Sequence, residues 1–312
     1  MITGLHHVTA ISGPPAENLD FYTSVLGMRL VKKSVNQDDP GTYHLFYADA
    51  EGTPGTDVTF FPWEVMAPGR QGTGLTVELA LAIPPGSLEF WRARLAELSV
   101  RHGEIEERFG ERALPVEDPH GLELALVETA DARAFAPWER SPVSAHLQIQ
   151  GLHAVRLWEA DRVATESFLT DGLGFTHVGE ESGWQRYALG EGGSGRLLEL
   201  RERPDVRPGA WGRGSIHHVA WRVPDGAVQE EARRRVADAG LRPTPVIDRF
   251  WFRSVYFREP GGALFEIATD GPGFAVDEDP AALGERLVLP PWLEPQRERI
   301  ETVLPALEPA RA

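Results

Sequence analysis

The residues best suited to metal chemistry lie in two short motifs near the end of the chain. Ser-Ile-His-His-Val-Ala-Trp at 215–221 and Tyr-Phe-Arg-Glu-Pro-Gly-Gly-Ala-Leu-Phe-Glu-Ile-Ala at 256–268 both predict β-strands. Successive side chains of a strand point to opposite faces, so we expect one of His217 and His218 to share a face with Glu266. Two imidazoles and one carboxylate form the ligand set of a non-haem Fe(II) facial triad. The second imidazole must therefore come from another part of the chain.

Internal repeats show that the chain consists of two copies of a two-unit block. In the first pair of units the offset is 147 positions, as between Gly-Leu-His-His at 4–7 and Gly-Leu-His-Ala at 151–154. In the second pair the offset is 140 and becomes 141 after a one-residue slip, as between Asp-Pro-His-Gly at 118–121 and Glu-Pro-Gly-Gly at 259–262. The repeat therefore predicts four units, near 1–66, 70–130, 147–205 and 212–271.

Each unit is predicted to contain a strand, a helix and about three further strands. Prolines 14 and 15 favour the start of the first helix, and Gly27 favours its end. The strands of the first unit are predicted at Leu5–Ile11, Met28–Val35, Thr42–Ala48 and Asp57–Phe61. The other helices are predicted near 85–98, 160–172 and 225–239.

The fold class is therefore α+β, with four tandem βαβββ units forming two pseudo-symmetric domains. The predicted divisions are a first block at 1–135, a linker at 129–146, a second block at 147–271 and a C-terminal tail at 272–312. The tail contains Leu-Pro-Pro-Trp-Leu at 289–293 and then a short amphipathic helix, Glu294–Val303. We expect the tail to pack on the body through Trp292 and Leu293.

Composition excludes several classes of function. The chain has 312 residues, enough for two domains, and a net charge of −16, which argues against nucleic acid and anionic membranes as partners. It contains no cysteine, so a metal would be held by His, Asp or Glu. The N-terminus resembles no signal peptide, and no run of about 18 apolar residues occurs, so we predict a cytoplasmic protein. The oligomeric state is left open, with a homo-oligomer compatible with the sequence.

Four βαβββ units with a His on an opening strand and a Glu on a closing strand resemble the vicinal-oxygen-chelate superfamily. This superfamily includes glyoxalases, fosfomycin- and bleomycin-resistance proteins and extradiol ring-cleaving dioxygenases. The resemblance covers about residues 1–271, and it is strongest to the hydroquinone-type ring-cleaving dioxygenases. The features shared with that group are His6-His7, His217-His218, Arg249, Tyr256, Glu266 and Pro-Pro-Trp-Leu-Glu-Pro at 290–295.

Aligning the repeats identifies one set of positions that can bind a metal. This set is His7, His218 and Glu266, and the matching set is Ala154, Glu78 and Ala125. The choice of the second His in each pair follows the superfamily register, in which the ligand immediately precedes an apolar Val. Since Ala154 replaces the ligand of the third unit, the first unit must pair with the fourth, and the second with the third.

The resemblance implies Fe(II), with Mn(II) as an alternative, and cleavage of a hydroquinone or related dihydroxybenzene by O2. His217 and His6 flank the ligands and are expected to titrate near neutral pH as general acid or base. Tyr256 is expected to donate a hydrogen bond to substrate oxygen, Arg249 to stabilise developing negative charge, and Thr9 to contact substrate. His153 is expected to be a structural hydrogen-bonding residue. No role is assigned to the remaining histidines, which are His44, His102, His120, His146 and His177.

Two other functions remain open. The same fold and ligands could perform isomerisation of the glyoxalase type with Ni(II), Zn(II) or Mn(II), and the metal content would distinguish that reaction from dioxygenation. The protein could also be a non-catalytic quinone- or drug-binding protein. Retention of all three ligands in one set, and their loss in the other, argues against this last alternative.

Overall fold

Each repeat unit contains one helix and four strands, as the sequence predicts. The computed structural model describes residues 1–131 and 133–307. The elements of the first unit are β1 Gly4–Ser12, α1 Pro15–Asp20, β2 Arg29–Asn36, β3 Asp39–Ala48 and β4 Asp57–Pro62. Those of the second are β5 Leu75–Ile83, α2 Leu88–Glu97, β6 Glu106–Arg108, β7 Glu111–Glu117 and β8 Glu123–Glu128.

The second block repeats this order. The third unit has β9 Gly151–Glu159, α3 Val163–Ser167, β10 Phe175–Glu181, β11 Trp184–Leu189 and β12 Leu197–Glu202. The fourth has β13 Ile216–Val223, α4 Gly226–Asp238, β14 Ile247–Asp248, β15 Arg253–Arg258 and β16 Leu264–Thr269. Helices α1 and α3 each continue into a π-helical turn, at Phe21–Val25 and Phe168–Gly172, which completes the helical lengths expected from the sequence. The Asp225 carboxylate caps α4 by accepting hydrogen bonds from the amides of Ala227 and Val228.

The strands form two eight-stranded curved sheets, which we call the first and second half-barrels. The strand order is β14-β15-β16-β13-β1-β4-β3-β2 in the first and β10-β11-β12-β9-β5-β8-β7-β6 in the second. The first half-barrel therefore joins units 1 and 4, and the second joins units 2 and 3, which confirms the pairing expected from Ala154. The blocks 1–135 and 147–271 describe the repeat in the sequence, and as a division into domains they remain a prediction.

Two connecting segments cross each other between the half-barrels. Gly69 donates a backbone hydrogen bond to Arg213, and Arg70 and Ala210 exchange two more. At the crossing, a Cβ on Gly72 would lie 2.3 Å from the carbonyl oxygen of Arg207. Every residue other than glycine would therefore clash with the backbone here. The repeat places Gly212 at the position matching Gly72, and it meets the same restriction, at 2.4 Å from the carbonyl oxygen of Ala67.

The C-terminal tail covers the concave side of the first half-barrel. Phe274 and Leu283 pack with Phe46 and Trp251 inside the sheet. Lys32 is fully buried; its ammonium group donates to the carbonyl of Phe274 at 2.9 Å and pairs with two tail carboxylates, those of Asp277 and Glu278. Burial of this ammonium is offset by the two carboxylates that flank it.

The end of the tail packs differently from the prediction. Leu293 is buried with Val35 and Ile300, as expected, but Trp292 is 46% exposed and makes an edge contact with Phe250. The final α-helix, α5, begins at Arg297 and ends at Val303, because residues Glu294–Gln296 form a 3-10 turn. Residues 308–312 of the predicted tail, and residue 132 of the predicted linker, lie outside the described residues. No helix in the described part of the chain is long and apolar enough to cross a membrane.

Candidate metal centre

Three neighbouring strands of the first half-barrel bring His7, His218 and Glu266 together. Strands β1 and β13 are antiparallel, with Thr9 opposite His218, and β16 runs parallel to β13, with Glu266 beside Ala220. All three side chains are at least 96% buried. Sequence alignment of the repeats therefore selected residues that the fold places in one cluster.

The donor atoms of the three side chains form a compact triangle. Oε2 of Glu266 lies 3.3 Å from Nε2 of His7 and 3.0 Å from Nε2 of His218, and the two Nε2 atoms are 3.3 Å apart. Ligand atoms at about 2.0–2.2 Å from one divalent ion are about 3 Å apart when they occupy adjacent positions. The triangle therefore has the size that a single metal ion requires.

The chemistry of Glu266 also fits a bound cation. Its carboxylate is fully buried, and neither oxygen accepts a hydrogen bond from the described residues. Burial alone would raise the pKa of Glu266, but the imidazoles of His7 and His218 lower it well below its usual range. An ionised carboxylate without hydrogen-bond donors is costly to bury unless a cation or metal compensates it.

His6 and His217 each lie in a β-bulge next to one of the two clustered histidines. The pairing of β1 with β13 skips His6 on one strand and His217 on the other. A bulge interrupts the alternation of side chains, so the two imidazoles of each pair can contact each other. Nδ1 of His6 lies 2.8 Å from Nδ1 of His7, and Nδ1 of His217 lies 2.8 Å from Nδ1 of His218.

These contacts determine the tautomers that metal binding would require. If His7 binds an ion through Nε2, its proton is on Nδ1 and is donated to Nδ1 of His6. His6 then carries its own proton on Nε2, which lies 3.1 Å from the carbonyl oxygen of Thr269. A ligating histidine is normally oriented in this way by an acceptor on its other nitrogen.

The two bulge histidines do not titrate near neutral pH, which corrects the sequence-based expectation. Burial, and then the neighbouring imidazole of His7, lower the pKa of His6 to about 3. Burial and His218 lower the pKa of His217 to about 3 in the same way. Both imidazoles are therefore neutral at pH 7. The ring of His217 stacks on Trp211, with 4.3 Å between ring centroids.

A small pocket opens beside the triangle. Its walls combine aromatic rings, two of the clustered histidines and a polar rim; they are His7, Asn36, Gln37, Asp38, His44, Phe46, Phe61, His218, Arg249, Trp251, Phe252 and Tyr256. Three residues predicted to act on substrate, His6, Thr9 and His217, lie outside this set. The mixed aromatic and polar lining is typical of small-molecule sites.

Arg249 and Tyr256 lie together at the wall formed by the fourth unit. The Arg249 guanidinium lies 5.4 Å from the centre of the Tyr256 ring and 2.8 Å from a carboxylate oxygen of Asp38. Burial and the charge of Glu266 raise the pKa of Tyr256 well above its usual value, so its hydroxyl remains protonated. The two residues supply a positive charge and a hydrogen-bond donor beside the triangle.

Sequence reasoning missed His44, which lines the same pocket. Nε2 of His44 lies 3.0 Å from Oγ1 of Thr59, which lies 2.7 Å from Oγ1 of Thr9. Thr9 in turn lies 2.9 Å from Nε2 of His218. Strand β3 carries no motif shared between the repeats, so the repeat alignment had no signal for His44. His153, by contrast, contacts Ser194 and Glu111, as expected of a structural residue.

Comparisons with known proteins agree with this architecture. The sequence model of the Glyoxalase/Bleomycin resistance protein/Dioxygenase superfamily matches residues 4–126 and 151–267. The chain is 43% identical over 298 residues to "Putative ring-cleaving dioxygenase MhqO" of Bacillus subtilis, covering 96% of this chain and 94% of that protein. It is 34% identical over 310 residues to the chlorohydroquinone/hydroquinone 1,2-dioxygenase of Sphingobium indicum, covering 96% and 95%.

Solved structures support the same fold. The crystal structure of a B. subtilis protein titled "putative dioxygenase" superposes with a TM-score of 0.94 at 42% identity, covering 98% of each chain. Glyoxalase I from Zea mays, at 16% identity, shares the fold with a TM-score of 0.63, covering 86% of this chain and 92% of that one. The chain belongs to the glyoxalase/bleomycin resistance protein/dioxygenase superfamily.

Proposed function

We propose that the protein is an Fe(II)-dependent extradiol-type ring-cleaving dioxygenase that acts on a hydroquinone or a related dihydroxylated aromatic compound. The observation that carries the proposal is the buried triangle of His7, His218 and Glu266, which opens onto a pocket with aromatic walls. The names of the relatives at 34–43% identity, which cover nearly the whole chain, support the same reaction.

His7, His218 and Glu266 would hold the ion through two Nε2 atoms and one carboxylate oxygen. Three protein ligands leave about three positions of an octahedral ion free. An Fe(II) ion held there would supply adjacent positions for a substrate oxygen and O2, and the electron needed to activate O2. His6 and His217 would keep the two ligand imidazoles in the tautomer that offers Nε2 to the ion.

The remaining pocket residues would bind and orient the substrate. Arg249 places its positive charge where a phenol oxygen loses a proton, which favours the phenolate. Tyr256, which keeps its proton, donates a hydrogen bond to substrate oxygen. The side chains of Phe46, Trp251 and Phe252 exclude water from the ring and from the oxygen chemistry.

The isomerase and the binding protein are less well supported. Glyoxalase I shares only the fold with this chain, at 16% identity, so it carries no argument about the reaction. A binding protein would need no ionised, fully buried Glu266 without a hydrogen-bond donor. We therefore place dioxygenation first, with Mn(II) as the alternative metal.

The experiment is oxygen uptake by protein loaded anaerobically with Fe(II) or Mn(II), offered hydroquinone, methylhydroquinone and catechol in turn. We expect uptake by the Fe(II) protein and a ring-opened product containing both atoms of O2, and loss of both in His218→Ala and Glu266→Gln. His153→Ala is the matched control, since it alters a buried histidine of the second half-barrel, and it should retain activity. Absence of uptake in protein that holds stoichiometric iron would favour the isomerase or the binding protein.

A further inference from the structure

We propose that His44 binds a hydroxyl group of the aromatic substrate through Nδ1, and that Thr59 and Thr9 hold its imidazole in place. This inference rests on the proposed function and adds a substrate-binding residue to it. The residue would distinguish a ring that carries a hydroxyl at this side of the pocket from one that carries a methyl group.

The surroundings of His44 leave one polar atom available to a ligand. The ring packs against Phe46, with centroids 3.9 Å apart, and against Phe61, at 4.5 Å. Nε2 is occupied by Thr59, whereas Nδ1 makes no hydrogen bond with any residue that the structure describes. His44 is half-buried and its exposed part lines the pocket. A polar atom in an aromatic wall loses free energy unless a ligand satisfies it.

Several other polar groups of the pocket rim contact one another. Asn36 accepts a hydrogen bond from the amide of Asp38, and the Asp38 carboxylate binds Arg249. The side-chain amide of Gln37 donates to the carbonyl oxygen of Arg249 at 2.9 Å. Arg249 also lies over the ring of Tyr256. Nδ1 of His44 is therefore a polar atom of the pocket that can bind a hydroxyl group in addition to Arg249 and Tyr256.

The hydroxyls of Thr59 and Thr9 link His44 to the triangle. These polar contacts run from Nε2 of His44 through the hydroxyls of Thr59 and Thr9 to within 2.9 Å of Nε2 of His218. A hydroxyl can donate or accept, so the two threonines support either neutral tautomer of His44. A phenol hydroxyl satisfies both tautomers, because it can accept from Nδ1–H or donate to a bare Nδ1. A methyl group satisfies neither.

The second half-barrel provides an independent comparison. The strand registers match His44 with Trp184, Thr59 with Glu199, and Thr9 with Arg156. The second half-barrel, which lacks the three proposed ligands, therefore has a different residue at each of these three positions. The three residues therefore belong with the cluster of the first half-barrel and not with the framework common to both.

The test is anaerobic calorimetric binding of hydroquinone and of 4-methylphenol to the Fe(II)-loaded full-length protein. We expect the wild type to bind hydroquinone about tenfold more tightly, the ratio that one hydrogen bond gives. In His44→Phe the ratio should fall to near one. Thr59→Val keeps the nitrogen but frees the ring, and it should lower the ratio to about threefold. His44→Asn retains a polar atom near Nδ1 and should preserve part of the preference.

An unchanged ratio in His44→Phe, in protein whose unfolding midpoint matches the wild type, would overturn the proposal. So would a wild type that binds the two compounds equally. The readout is a ratio of affinities measured without O2, so it does not depend on turnover. Wild-type protein that prefers hydroquinone but consumes no oxygen would contradict the proposed dioxygenase activity while supporting the role of His44.

Discussion

The two half-barrels share one scaffold but bury charge in opposite ways. At the positions of His7, His218 and Glu266 in the first, the second has Ala154, Glu78 and Ala125, which are fixed by the same strand registers. The second fills its interior with its own ion pairs, which are Arg108–Glu78 at 2.6 Å, Arg156–Glu199 at 2.6 Å, Arg186–Glu199 at 2.6 Å and Arg186–Glu111 at 2.7 Å.

The contrast explains why one half-barrel can be a site and the other cannot. Three arginines balance three glutamates in the second half-barrel, so it needs nothing from outside. The first contains the ionised Glu266 beside two histidines, and a bound cation would balance this arrangement. A candidate metal site can therefore be recognised by the buried charges that the rest of the fold leaves unpaired.

The largest expected effect is at the triangle. His7→Ala removes one of three proposed ligands and should weaken Fe(II) binding by more than about 100-fold. Mutation of a residue that only hydrogen-bonds to a ligand already lowers metal affinity by about 10–100-fold. Chelator competition measures the affinity, with His153→Ala as the control. Stoichiometric iron in His7→Ala would contradict the assignment. The substitution is a cleaner test than removing residues 1–10, because β1 is central in its sheet and its loss would disrupt the half-barrel.

The second half-barrel should respond in stability and not in metal binding. Glu78→Gln leaves Arg108 and Arg156 without their shared carboxylate, and we expect the free energy of unfolding to fall by about 3 kcal/mol. Iron content and oxygen uptake should be unchanged. Urea unfolding measures the effect, with the exposed Glu64→Gln as the control, expected within about 0.5 kcal/mol of wild type. Loss of iron in Glu78→Gln would break the proposed division between the half-barrels.

Where the half-barrels meet, a buried pair of carboxyl groups predicts a pH effect on stability. Burial, and then the charge of Glu259, raise the pKa of Glu159 from 4.5 to about 9. The folded protein then keeps a proton that the unfolded chain has lost, so stability should fall as pH rises between these values. Glu159→Gln removes this penalty and should stabilise the protein by about 2 kcal/mol at pH 7. Thermal unfolding of wild type and Glu159→Gln at pH 5 and pH 8 checks this, and the variant should gain more stability at pH 8. An equal gain in stability at both pH values would contradict the prediction.

The smallest effect is expected at the pocket rim. Asp38 is 75% exposed, so its ion pair with Arg249 should contribute less than about 1 kcal/mol to stability. Asp38→Asn should leave the unfolding midpoint near that of wild type but raise KM for hydroquinone by about two- to fivefold, because Arg249 loses one of its anchors. Steady-state kinetics separates this from kcat, which we expect to change less.

The repeat offsets explain what the sequence could and could not predict. A constant offset of 147 along the opening strands aligns Ala154 with His7. The pairing of units 1 and 4 follows from that alignment. The hairpin of β10 and β11 in the third unit has shorter strands than that of β2 and β3, so the offset has become 140 at β3 and β4. An offset of 147 compares His44 with Glu191, in a loop, and hides its true counterpart Trp184. The proposed role of His44 could be recognised only from this local register.

Other features depended on contacts that no local pattern encodes. The acidic run Asp277-Glu278-Asp279 ends the repeat pattern in the sequence, yet two of its carboxylates bind Lys32, more than 240 residues earlier. The bulges at His6 and His217 arise from the pairing of β1 with β13 and have no sequence signature of their own. Their burial, which lowers the pKa of each histidine, follows from the same pairing.

The crossing of the two connecting segments has a consequence for synthesis of the protein. Residues 70–205 supply all strands of the second half-barrel as one continuous stretch, so that half-barrel can close while the ribosome is still making the fourth unit. The first half-barrel must wait, because its strands come from the first and the fourth units, which are separated by the whole second half-barrel. Until then β1, whose other neighbour is β13, exposes an unpaired edge to other nascent chains. A metal ion could therefore be bound by the triangle only after the fourth unit has paired with the first.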